Sequence, residues 1–156
     1  MNSVWPYLET VLRLCGGIQL GIAALNLFLS GLLGWKEDVA RMPLLIREVF
    51  QVHAWFISLT LAIFAIMTWR FAQDMAAGTN DALRWLAAGI GSFWAFRTVL
   101  QVTYYSSNHW RGKPLRTAIH VALFTVYGGL AGSYLCAALG RNGPVKASDF
   151  VLTLPL

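Results

Sequence analysis

The residues of this 156-residue chain that could do chemistry are a few polar side chains set inside long apolar stretches. His53 and His120 each lie about four or five residues inside one end of such a stretch, and Gln101 lies about as far inside the same end of another. Arg97, Gln101 and Tyr104 recur at i, i+4 and i+7, one stripe of a helix, with Tyr105 beside them. Arg116, His120 and Tyr127 share a stripe of the following segment. An ionisable group held at membrane depth marks a functional site by default, because removing it from water is expensive. Arg97 sits about nine residues from the nearer end of its segment, about 13 Å at 1.5 Å per residue. That is far to snorkel, so its head group is expected inside a bundle or a polar cavity.

Four chemistries suit this layer. A b-type haem would take His53 and His120 as axial metal ligands, with Gln101 or Ser30 fixing an imidazole tautomer and Arg111, Lys113 and Arg116 near the propionates. A pocket for a quinone or lipid-like amphiphile would use Arg97 and Gln101 on a carbonyl or head group, walled by Tyr104, Tyr105, Trp55 and Trp94. A zinc or copper site would need His53, His109 and His120 together, although their spacing matches no local ligand motif. The fourth use is structural: the polar groups bond one another, and the protein is an accessory or scaffold subunit of a larger membrane complex. No nucleophilic triad, phosphate loop, carboxylate pair or in-span Asp or Glu is visible, which leaves enzymatic activity open and favours the accessory reading. Glu48 and His53 lie about 140° apart on a helix, so they do not form one ligand face.

The elements that must position these residues follow from composition. Apolar and aromatic residues make up 57% of the chain and charged residues only 12%, with a mean hydropathy of +0.57. A soluble domain carries about 25% charge, so an integral membrane protein is the class that remains. The formal charge of +5 is spread thinly and does not read as a nucleic-acid footprint. Windows of about 20 apolar residues occur at roughly 11–34, 49–72, 82–106 and 115–140. This predicts an all-α, multi-pass four-helix bundle in one transmembrane domain, with both termini on the same side and a short tail over 141–156. Gly78-Thr79-Asn80-Asp81 supplies a helix stop and then an N-cap, and Pro114 suits a helix start. Trp and Tyr gather at the segment edges as an aromatic belt.

Basic residues divide almost evenly between the two faces, so charge does not set orientation. The first ten residues hold Glu9 and no Lys or Arg, the wrong start for a cleavable signal peptide. Cys15 and Cys136 lie in apolar surroundings and read as small buried hydrophobes. Small residues recur at four-residue spacing, as Gly17 and Gly21, Ala87, Gly91 and Ala95, and Gly128 and Gly132, and predict close helix packing within the bundle. The run Leu12-Arg13-Leu14-Cys15-Gly16-Gly17 through Gly21 resembles the first helix of small DoxX-like proteins. That resemblance covers one helix and implies a four-helix membrane bundle, in some cases with quinone or thiol redox chemistry.

Overall fold

The computed structural model describes residues 7–32, 34–104 and 114–140, the side chains of residues 29, 30, 32, 36, 115 and 116 excepted. Among the described residues the chain is all-helical: α1 (Leu8–Leu32), a short α2 (Lys36–Ala40), α3 (Leu44–Ala77), α4 (Asp81–Thr103) and α5 (Pro114–Leu139). Three of these are long and apolar enough to cross a membrane, at Leu8–Phe28, Leu44–Ala77 and Thr117–Leu139. The expected third span, 82–106, which corresponds to α4, is not among them. The physical reason is local, since Arg97 and Gln101 pull down the hydropathy of an otherwise apolar helix.

The helix ends follow the side-chain chemistry. Gly78 closes α3 in the left-handed conformation at φ 64°, and its N–H returns to the carbonyl of Asp74. The side chain of Asn80 then accepts from the N–H of Leu83 and caps α4. Pro114 is the first residue of α5. The α3 helix begins at Leu44, about a turn before the expected span, because Arg47 and Glu48 lie within it instead of ending it. Its 34 residues reach about 51 Å at 1.5 Å per residue, well beyond a hydrocarbon core of about 30 Å.

Two antiparallel pairs make up the fold, α1 with α3 and α4 with α5. In the first, Trp69 donates its indole N–H to the carbonyl of Arg13 at 2.8 Å, and Asn26 reaches the carbonyl of Ala54 and the hydroxyl of Ser58. A side chain on Gly16 would come within 2.8 Å of the Trp69 ring nitrogen, so this contact depends on glycine. In the second pair, Arg84 donates to the carbonyl of Ala138 at the end of α5, a favourable place for a cation. A β-carbon on Gly91 would lie 3.0 Å from the Leu135 side chain and 3.1 Å from its backbone nitrogen.

The small-residue rows are used only in part. Ala87 and Gly91 are buried between helices, but Gly17, Gly21 and Gly132 face outward, and a β-carbon on Gly21 or Gly132 would meet nothing within 4 Å. It is Gly16, one residue before the expected row, that admits the neighbouring helix. Of the two cysteines, Cys15 is buried as expected and Cys136 is exposed, because it lies on the outward face of α5.

The pairs meet through a core concentrated in the half that holds the start of α1 and the end of α5. Leu8, Leu12, Cys15, Ala23, Leu61, Ala72, Met75, Ala87, Ile90, Trp94, Leu130 and Tyr134 are among its buried members. In α3 burial begins only at Ser58, and among the described side chains of α5 only at Tyr127. Phe64 and Phe93 meet edge to face at 5.4 Å where α3 crosses α4.

Candidate functional site

Three polar groupings stand out, and the most buried is one that the sequence did not disclose. Gln19 of α1, Thr68 of α3, Trp94 of α4 and Tyr134 of α5 are all at most 1% exposed. The indole N–H of Trp94 donates to Oε1 of Gln19 at 3.0 Å, and Nε2 of Gln19 donates to the hydroxyl of Tyr134. Thr68 gives its only hydroxyl proton to the carbonyl of Phe64 at 2.7 Å. Tyr134 must therefore be the donor in its 2.6 Å contact with Thr68. The result is a one-way chain running from a group that only donates to one that only accepts. It ties four helices together with every member satisfied, the condition under which buried polar groups stabilise a low-dielectric interior.

The second grouping contains much of the expected layer. Arg97 donates to Oε1 of Gln101 at 2.9 Å, and Nε2 of Gln101 lies 3.0 Å from Nδ1 of His120. A guanidinium only donates, so it fixes the orientation of the Gln101 amide. The amide then presents its N–H to His120, whose Nδ1 must accept, placing the proton of the neutral imidazole on Nε2. The Arg97 guanidinium also lies 4.7 Å over the ring of Tyr127, which stacks at 5.3 Å on Trp94. Aromatic contact thus joins the second grouping to the first.

His53 belongs elsewhere. It is exposed on the first pair of helices, and its Nδ1 donates to the carbonyl of Val49 at 2.9 Å. The third grouping is the groove it lines, about 480 Å³ in volume, shared with Asn26, Trp35, Phe50, Gln51 and Trp55. Tyr104 is 81% exposed at the end of α4. Tyr105, His109, Arg111 and Lys113 lie outside the described residues, as do the side chains of Ser30 and Arg116. Asn26 bonds to Ala54 and Ser58 of α3.

Among the described residues, no three or more His, Cys, Asp or Glu converge on a point that could hold a metal ion. An axial haem ligand must offer iron a nitrogen lone pair. The lone pair of His120 already accepts from Gln101, so ligation through His120 would require that bond to be given up. His53, by contrast, holds its lone pair on Nε2. No protein family, curated protein or solved structure matches the chain.

Proposed function

We propose that this protein is a four-span membrane bundle, both termini on one side, that serves as an accessory or scaffold subunit of a larger membrane complex. The observation that carries the reading is the one-way chain through Trp94, Gln19, Tyr134 and Thr68. It spends the most deeply buried polar groups of four helices on holding those helices together. The amphipathic character of α4 supports the fourth crossing. Arg97 and Gln101 turn inward to Tyr127 and His120, while Trp85, Phe93, Phe96, Val99 and Val102 are exposed along the helix. A helix of this kind offers lipid an apolar surface despite its low mean hydropathy. Its partners are the bilayer and neighbouring membrane subunits.

Two measurements test this. Single cysteines placed at Asn2, Glu37, Thr79, Lys113 and Ala147, in a chain with Cys15 and Cys136 replaced by Ser, are labelled from outside sealed vesicles. Four crossings require Asn2, Thr79 and Ala147 to share one side and Glu37 and Lys113 the other. Thr79 and Lys113 on the same side would remove the α4 crossing. Native electrophoresis of the mildly solubilised membrane should find the chain in an assembly of fixed stoichiometry with other subunits. Migration as an isolated monomer would overturn the accessory role.

A further inference from the structure

Basic residues divide almost evenly between the two membrane faces, but charge does not divide evenly between the two helix pairs. Residues 82–148, which contain nearly all of α4 and the whole of α5, hold seven Lys or Arg and no Asp or Glu, whereas residues 1–81 hold five basic and six acidic residues. The formal charge of +5 therefore resides on the second pair. Ion pairs among the described residues all take their carboxylates from residues 1–81: Glu9 with Arg13, Glu37 with Arg41 and Asp81 with Arg84. Arg97 is the cation set within a helix at membrane depth. Its contacts with the Gln101 amide and the Tyr127 ring are with neutral groups, and its side chain is half-buried. No Asp or Glu occurs over 10–36, 49–73 or 82–148, so a carboxylate at this depth has to come from outside the chain.

The packing leaves this end of the bundle open. Every residue of α3 from Leu44 to Ile57 and every residue of α5 from Thr117 to Val126 is exposed or half-buried, so the two pairs do not cover each other in this half. Arg97 lies one turn beyond the buried Trp94, where that opening begins. We propose that α4 and α5 dock, in this half, a transmembrane helix of a partner subunit that carries an Asp or Glu at the depth of Arg97. A lone charge is expensive in a bilayer, and groups of opposite sign relieve that cost by pairing. A guanidinium has five N–H donors, enough to hold Gln101 and to grip a carboxylate through two of them. A phospholipid phosphate is the less suitable anion, since it lies at the surface and Arg97 sits about 13 Å inside. The proposal rests on the accessory reading and names the chemistry of the neighbouring subunit.

The test measures energy transfer between the labelled full chain and a labelled Leu-rich transmembrane peptide of about 22 residues in phosphatidylcholine vesicles. One peptide carries a single Asp near its centre, and two others carry Asn or Leu there. The Asp peptide should associate about tenfold more tightly than either, the scale of the strongest interhelical polar contacts. Arg97→Lys should keep that preference, while Arg97→Gln, which retains a donor without the charge, and Arg97→Leu should both remove it. Arg84→Gln, at the opposite end of α4, should leave it unchanged. Equal binding of the three peptides, no binding of any, or a preference that survives the loss of charge at Arg97 would overturn the proposal. Loss of the preference when phosphatidylglycerol replaces part of the lipid would do the same and assign Arg97 to lipid. Because the peptide stands in for the native partner, each of these failures leaves the accessory role itself to be decided by native electrophoresis.

Discussion

The side-chain amide of Gln101 donates to Nδ1 of His120 across 3.0 Å, and Arg97 holds that amide in the one orientation that permits it. Three residues on two helices thereby act as a unit. Removing the middle member should cost more than removing an end. Gln101 is 2% exposed, so Gln101→Leu takes from both neighbours a partner that water cannot readily replace. Interhelical hydrogen bonds in membranes average about 0.6 kcal/mol, with a maximum near 1.7. Gln101→Leu should destabilise the protein by about 1–2 kcal/mol in denaturant titration within micelles. Combining it with Arg97→Leu should cost less than the two single changes added. Simple additivity would show that Arg97 and Gln101 do not work as a pair.

A larger loss is expected at the other chain of bonds. Tyr134→Phe keeps the ring in the core but removes the hydroxyl that accepts from Gln19 and donates to Thr68. Gln19 is then left with a buried unpaired donor, which costs about 1–3 kcal/mol. The double change Tyr134→Phe with Gln19→Leu should recover part of that loss, since it also removes the stranded amide. Both are measured as the midpoint of unfolding in detergent. An unchanged midpoint for Tyr134→Phe would mean that the cluster does not hold the four helices together.

These two groupings differ in how much the sequence disclosed. Arg97 and Gln101 declare themselves by their i, i+4 spacing on one helix, and His120 by its matching distance from the helix start at Pro114. Distance along a helix fixes level but not direction, and for that reason His53 reads as a member of the same layer while sitting on the other helix pair. Gln19 has no polar residue one turn away, and Asn26, two turns on at i+7, bonds to α3 instead. Its partners Thr68 and Tyr134 are residues that apolar helices carry routinely, so only the packed arrangement joins them. The all-helical class follows from composition and periodicity. The crossing we propose for α4 is harder to read because the hydropathy of this helix averages an inward polar stripe with an outward apolar one.

Glycine positions separate close packing from composition. Gly91→Ala places a methyl group 3.0 Å from Leu135 and 3.1 Å from its backbone nitrogen, which a helix pair can relieve only by moving apart. Overpacking of this kind costs about 1–3 kcal/mol. Gly132→Ala meets nothing within 4 Å and should be neutral or slightly stabilising, since alanine is the better helix former by about 1 kcal/mol. Thermal midpoints of the two variants in one detergent make the comparison. A loss at Gly132 equal to that at Gly91 would show that the outward face of α5 is itself packed, against a partner or a second copy.

The lone-pair assignment at His120 makes its own prediction about cofactors. With Nδ1 accepting from Gln101 and the proton on Nε2, His120 presents no free lone pair to iron. The reduced-minus-oxidised visible spectrum of protein taken from its native membrane should therefore lack the sharp α and β bands of a bis-imidazole haem. Such bands would require His120 to have broken from Gln101. They should then persist in Gln101→Leu and vanish in His120→Ala. Bands lost in His53→Ala as well would bring the two histidines onto one iron and overturn the separation of His53 from the Arg97–Gln101–His120 group. A featureless spectrum in protein that remains folded is the outcome expected of a bundle whose buried polar groups are engaged with one another.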